Sequence, residues 1–251
     1  MIVRQHCCSK NTHFPHKMKS CESIPHTIAS YLASDSPIDH IISIEKNKDT
    51  LDISHIKVLP YLITDHKPIF CIINDIPILS WNIEGLCNSK LTTERTDKIK
   101  DILLQLHETY PNIIFLFQEV YLKTQIKNKL SSIDRLKDLF NHPDYIYTSD
   151  GYTSGVIIPK KLFKKLELIQ RKESKKNAMV ISIKSKKPFV LVNIHLKAVR
   201  SFNPSTINYL HIDELNNIFS HINHYFKKGV VFIGDHNNKD VLPIYTQLVT
   251  S

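Results

Sequence analysis

Several short apolar runs in this chain end in polar residues that a packed interior would not require. They are Trp81-Asn82-Ile83-Glu84-Gly85, Phe117-Gln118-Glu119-Val120, Asn193-Ile194-His195-Leu196 and Gly234-Asp235-His236-Asn237. A further pair, Asp65-His66, stands in Thr64-Asp65-His66-Lys67-Pro68, and Asp39 opens the run Ile41-Ile42-Ser43. Carboxylates and amides offer oxygen to hard cations, and histidine exchanges a proton near neutrality. Any one of these groups alone reads as a satisfied loop residue. Their number and order carry the argument.

The elements that must position them are legible from periodicity. Apolar runs predict strands at Ile38–Ile44, near Ile56–Leu59, and at Ile69–Ile73 and Ile76–Trp81. The last two flank Asn74-Asp75 and read as a hairpin. Ile99, Ile102, Leu103 and Leu106 recur at helical spacing within Thr93–His107, with Thr93 as N-cap. Ile113–Phe117, Ser154–Ile158, Met179–Ile183, Phe189–Ile194 and Val230–Ile233 read as strands, and a second helix falls within Leu130–Phe140. Leu210, Leu215, Ile218, Phe219 and Ile222 form the apolar face of a helix over Ile207–Phe226, which Gly229 ends. Mixed strands and helices without a repeat predict one α+β domain over residues 35–251. Residues 1–34 read as a polar leader, with a short helix over Ser23–Ala33; its cysteines and histidines fit no paired-ligand zinc spacing.

Composition narrows the function classes. Thirty-three Lys/Arg against 24 Asp/Glu give a net charge of +9, which favours polyanionic partners. Between Lys160 and Lys187 stand eleven Lys/Arg and two acids, so that segment reads either as a phosphate-backbone track or as a solvated lysine face. No run reaches the ~18 apolar residues of a membrane span. Five irregularly spaced cysteines and the lack of a secretory apolar run predict a reduced, intracellular, cytoplasmic protein with no membrane partner. Only 5 residues are glycine, against about 18 at average usage. Gly85 and Gly234 fall inside the motifs, and Gly151 and Gly155 bracket a candidate substrate segment.

The order of the motifs resembles the endonuclease/exonuclease/phosphatase superfamily, whose motifs run Trp-Asn, Gln-Glu, Asn-x-His-Leu and Gly-Asp-x-Asn. The family closes on Ser-Asp-His-x-Pro near the C-terminus, whereas only fourteen residues follow Asn237 here and none is an Asp-His pair. Thr64-Asp65-His66-Lys67-Pro68 is similar to that closing motif, and Pro37-Ile38-Asp39-His40-Ile41-Ile42-Ser43 to the strand before it. The resemblance therefore implies a circular permutation in which the usual C-terminal strands come first and the old termini are joined through Asn74-Asp75. Trp81-Asn82-Ile83-Glu84-Gly85-Leu86 and Gly234-Asp235-His236-Asn237-Asn238-Lys239-Asp240 are similar to the 5′-tyrosyl-DNA phosphodiesterase branch.

The resemblance implies a four-layer α/β/β/α sandwich of the DNase I-like type. It also implies a Mg²⁺-dependent phosphodiesterase or nuclease, with Mn²⁺ as substitute cation and 5′-tyrosyl adduct removal as the activity of the nearest branch. Metal-assisted attack of water in line with the leaving group is the expected reaction. Glu119 and Asn82 would hold the metal. His66, oriented by Asp39, would contact the scissile phosphate or act as base, and Asp65 would support the metal or its water. Asp235 and Asn237 would position and activate that water, and His195 would donate to a nonbridging oxygen. Tyr152 and Thr153 would face the substrate, and Lys197 and Arg200 its phosphates. The expected partner is nucleic acid, DNA or RNA, bound by a monomer. A phosphatase or phosphodiesterase acting on phospholipid or inositol phosphate, and a catalytically silent nucleic-acid-binding module, are the alternatives.

Overall fold

Two six-stranded sheets lie face to face. A computed structural model describes residues 1–6, 39–46, 51–61, 63–83, 92–120, 132–150, 154–170, 177–198, 204–238 and 241–250. Its strands are β1 (Ile2–His6), β2 (Asp39–Glu45), β3 (Ile53–Val58), β4 (Ile69–Ile73), β5 (Ile76–Asn82), β6 (Ile114–Gln118), β7 (Tyr145–Ser149), β8 (Ser154–Pro159), β9 (Phe163–Gln170), β10 (Asn177–Ile183), β11 (Val190–His195) and β12 (Val230–Asp235). Its helices are α1 (Thr92–Thr109), α2 (Ser132–Leu139), α3 (Pro204–Ile222) and α4 (Leu242–Thr250). The first sheet runs β1-β2-β12-β11-β10-β9 and the second β3-β4-β5-β6-β8-β7.

Alternation along the strands builds three apolar layers. On β12, Val230 and Phe232 pack with Leu215, Ile218 and Phe219 of α3 and Tyr245 of α4. Their neighbours Val231 and Ile233 point the other way, into the space between the sheets, where they meet Ile78 of β5 and Ile114 and Leu116 of β6. Leu79, Trp81, Phe115 and Phe117 face outward onto Ile99 and Leu103 of α1 and Leu136 of α2. This is the α/β/β/α sandwich expected of the DNase I-like type.

The inter-sheet rows explain where the chemistry sits. Each is apolar until its last steps and then turns polar: Ile78-Ser80-Asn82, Ile114-Leu116-Gln118, Leu191-Asn193-His195 and Val231-Ile233-Asp235. β5 and β6 pair in parallel, as do β11 and β12, so all four rows end at the same edge of the sandwich. β2 lies antiparallel beside β12 and brings Asp39 opposite Asp235. The hairpin expected at Asn74-Asp75 joins β4 to β5, with both turn residues at positive φ, 47° and 66°.

Several elements depart from the sequence reading. Ile2–His6, which falls in the expected leader, is an edge strand paired with β2 in the register Ile2↔Glu45 to His6↔Ile41. That partner lies some forty residues away in sequence, so no local pattern announces it. β7 and β9 fall where the sequence predicts only connections. β9 is lysine-rich and lies at a sheet edge, where charge replaces clean alternation. α4, Leu-Pro-Ile-Tyr-Thr-Gln-Leu-Val-Thr, has weak helix formers and is held by Ile244 and Tyr245 packing on the first sheet. The helix expected over Ile207–Phe226 is α3 followed by a 3-10 turn at Asn223–Lys228. The short helix at Ser23–Ala33 lies outside the described residues.

Candidate active site

At the polar edge, Asp39, Asp65, His66, Asn82, Glu119, His195, Asp235 and Asn237 come together. Asp39 Oδ2 accepts from His66 Nδ1 at 2.8 Å. His66 Nε2 then faces Asp235 Oδ2 at 3.8 Å and Asp65 Oδ1 at 4.0 Å. Asn82 Nδ2 donates to Asp235 Oδ2 at 3.0 Å and to Glu119 Oε1 at 3.3 Å. His195 Nε2 lies 3.7 Å from both Glu119 Oε1 and Asp235 Oδ2. Asp235 is thus the hub of two carboxylate–histidine groups, Asp39/His66/Asp235 and Glu119/His195/Asp235.

The segment bearing Asp65 and His66 is pinned to the end of β5. The indole N–H of Trp81, the chain's single tryptophan, donates to Thr64 Oγ1 at 3.0 Å and to the His66 carbonyl at 3.1 Å. Thr64 Oγ1 in turn lies 2.7 Å from the His66 carbonyl and 3.1 Å from that of Asn82. Glu119 and Asn237 hold positive φ of 56° and 48°, unusual for non-glycine residues and common at sites where geometry is over-determined. The Asn237 N–H caps Asp235 Oδ1 at 2.8 Å, and its side-chain amide donates to the Leu196 carbonyl at 2.8 Å. Gly234 has φ of 139°, and a Cβ there would lie 2.2 Å from the Ile194 carbonyl oxygen, so the tight approach of β12 to β11 demands glycine. At Gly155 the space a Cβ would take is filled by Leu136 and Val120.

Electrostatics divides the two central groups. Burial opposes charge on His66, but the hydrogen bond and charge of Asp39, with Asp235 and Asp65 nearby, outweigh it and raise the imidazole to about 9. Burial, then the charge of Asp39, raises Asp235 to about 7, against the pull of His66 and of hydrogen bonds from Asn237 and Asn82. His66 is therefore cationic at neutral pH, while Asp235 is poised to gain or lose a proton there.

The donor set fits a hard divalent cation. Glu119 and Asp235 converge on one amide, Glu119 is 30% solvent-exposed at its side chain, and the groups around them are oxygen-rich. Lys197 is exposed two residues beyond His195. Tyr152, Thr153 and Arg200 lie outside the described residues. Residues 171–176 of the basic segment lie outside the described residues. Lys160, Lys161, Lys184, Lys186 and Lys187 stand on turns at the opposite end of the sandwich, because β11 begins there at Val190 and reaches the site only at His195.

Sequence reasoning missed the scaffold beneath the site. Gln118 Nε2 donates to Asn193 Oδ1 at 2.7 Å and to Ser80 Oγ at 3.1 Å, tying one sheet to the other. Buried histidines then fix the Asp235–Asn238 loop from several elements. His211 of α3 donates from Nε2 to the Lys197 carbonyl at 3.0 Å, leaving Nδ1 to accept from Asn238 Nδ2 at 3.2 Å. His40 of β2 donates from Nε2 to the Asn238 carbonyl at 2.7 Å and accepts from Gln5 of β1. His236 bonds the Gly234 carbonyl and the Tyr245 hydroxyl of α4, and burial holds it well below its ordinary value, hence neutral. Only the local clustering of Asn237-Asn238 with His236 signals this in sequence; the partners come from distant elements. Since His211 joins the His195 and Asp235 loops, His211→Ala is expected to lower kcat about 10- to 100-fold with little change in KM. Partial rescue by His211→Asn, measured alongside, distinguishes loop positioning from a general loss of packing.

No protein-family model matches the sequence, and no curated protein matches it. Solved structures do. A humanized D. rerio TDP2 carrying 14 mutations is 19% identical, with a TM-score of 0.47 over 68% of this chain and 65% of that one. D. rerio TDP2 complexed with single strand DNA product gives 19% and 0.47, over 68% and 64%. The human Nocturnin catalytic domain with bound sulfate anion gives 16% and 0.47, over 69% and 68%. The chain spans slightly less than two thirds of the D. rerio TDP2 chains it matches. The fold of this chain, read from its own sheets and layers, is a four-layer α/β/β/α sandwich.

Proposed function

We propose that this chain is a divalent-metal-dependent phosphodiesterase acting on nucleic acid, a circularly permuted member of the endonuclease/exonuclease/phosphatase superfamily. The observation that carries the reading is Asp235, a buried carboxylate shared by two histidines and flanked by Glu119 and Asn82. Glu119, with Asn82 beside it, would hold the cation, Mg²⁺ or Mn²⁺. When bound, the cation supplies charge neutralisation for the phosphate and for the leaving oxygen.

The side chains supply the remainder. Asp39 orients the His66 ring and keeps it protonated, so His66 donates from Nε2 to a phosphate oxygen rather than accepting a proton. Asp235, raised toward neutrality, accepts the proton of the attacking water, and the Asn237 N–H holds its carboxylate in place. His195 faces the same volume and donates to a nonbridging oxygen as charge builds there. Asp65, partly exposed at the rim, would support water around the cation.

The chemistry is tested by offering 5′-tyrosyl single-stranded DNA, plain DNA, RNA and sphingomyelin with Mg²⁺, Mn²⁺ or chelator. Metal-dependent hydrolysis of the nucleic acids, fastest on the tyrosyl adduct, is expected. Turnover confined to sphingomyelin would replace the nucleic-acid reading with the lipid one. The permutation is supported by the antiparallel placement of β2 beside β12, by the Asp39–His66 bond and by the β4–β5 hairpin. A gene opened between Asn74 and Asp75, with residues 251 and 1 joined by a short linker, is expected to yield the same fold and activity. An unfolded or inactive product, seen by circular dichroism and turnover, would count against the permuted order.

A further inference from the structure

The end of the first sheet opposite the catalytic edge is a ridge of lysines drawn from four separate stretches of chain. Lys46 follows β2, Lys227 and Lys228 precede β12, Lys184, Lys186 and Lys187 lie between β10 and β11, and Lys160 and Lys161 precede β9. All eight are exposed. Backbone bonds tie these turns edge to edge: Lys184 N–H to the Leu162 carbonyl at 2.7 Å, Val190 N–H to that of Gly229 at 3.0 Å, and Lys46 N–H to that of Phe226 at 3.2 Å. The order β2-β12-β11-β10-β9 covers four strand spacings, about 19 Å. None of the eight ammonium groups forms an ion pair among the described residues. The nearby acids Asp52, Asp75 and Asp144 stand on turns of the other sheet.

From this geometry we infer that the ridge is a second, non-catalytic binding surface for the phosphate backbone of the nucleic acid on which the site acts. The inference rests on the nucleic-acid reading of the site. Eight cations along some 19 Å match several successive phosphates, and releasing their counterions supplies affinity without sequence preference. The ridge lies about 17 Å from the catalytic edge, the length of β11 from Val190 to His195. It therefore holds a strand away from the bond being cut and cannot enter the chemistry. A membrane fits it less well. Of the exposed large apolar side chains among the described residues, only Met1 lies at this end, beside Lys46 through the pairing of β1 with β2.

The test compares the full chain with K160Q/K161Q/K184Q/K186Q/K187Q, and separately with K46Q/K227Q/K228Q. Binding of a fluorescent 40-nucleotide single strand is followed in chelator across a salt series, and hydrolysis of a dinucleotide is followed with Mg²⁺. The fivefold variant is expected to bind the 40-mer at least about tenfold more weakly at low salt. Its log–log salt slope should be shallower by about 0.7 for each phosphate that the ridge no longer neutralises, with dinucleotide turnover unchanged. An unchanged slope in both variants overturns the proposal. So does loss of binding to phosphatidylserine vesicles with 40-mer binding intact, which would assign the ridge to a lipid surface. If no nucleotide substrate is cut but 40-mer binding still depends on the ridge, the reading of the site fails and the ridge stands.

Discussion

Asp235→Asn is expected to lower phosphodiester hydrolysis by about 10²- to 10⁴-fold, the range lost with a positioned proton acceptor, while the protein stays folded. The substitution alters the group that faces both histidines, the Asn82 amide and the Asn237 N–H at once. Its effect on stability runs the other way. Asp235 is 1% exposed and stands opposite Asp39, so its ionised form is costly in the fold. A carboxyl raised from 3.8 to about 7 binds more protons folded than unfolded between those values. Its contribution to stability is present below about 3.9 and is lost as pH rises through about 7. Asparagine has no such loss. The melting temperature of the variant in chelator should therefore equal or exceed that of the wild type, with the gap widening from pH 5 to pH 8. Retained turnover, or a gap that narrows with pH, would remove Asp235 from the role assigned to it.

Glu119→Gln is the second large effect. Glu119 sits at the open side of the cluster, its backbone held at φ of 56° just past β6, where its carboxylate reaches Asn82 and faces His195. A neutral amide keeps the shape and gives up the charge a hard cation requires. At limiting Mg²⁺, turnover should fall by about 10²- to 10³-fold. Raising the metal concentration should restore part of it, and isothermal titration should show the weakened Mg²⁺ or Mn²⁺ binding directly. A loss of rate with unaltered metal affinity would move Glu119 from metal ligand to a purely structural position. The two variants separate cleanly: metal rescues Glu119→Gln in part and leaves Asp235→Asn near its basal rate.

Much of this arrangement is legible in the chain because its signals are local. Strand ends at Asn82, Gln118, His195 and Asp235 follow from apolar runs of five to seven residues that stop at a polar side chain. The Asn74-Asp75 turn follows from its residue types. What stays hidden depends on partners far away in sequence. β1 is a strand because β2 offers an edge, α4 is a helix because the first sheet offers an apolar face, and β9 keeps lysines because it lies at an edge. The Lys160–Lys187 run shows the limit most plainly. Its charge is a fact of composition, but whether it serves the catalytic edge or the far end depends on which way β10 and β11 run.

By itself, then, the sequence determined the chemical inventory and its order: acids, histidines and amides at or just past strand ends, with an Asp-His pair ahead of them in the chain. Only the tertiary structure decided how those groups share protons and charge. His66 becomes a cation because Asp39, Asp65 and Asp235 surround it, and Asp235 is raised toward neutrality because burial between two sheets withholds the water that would solvate its charge. Ionisation is set by the dielectric and the neighbours a group meets after folding, and those are properties of packing that residue types and spacing do not contain.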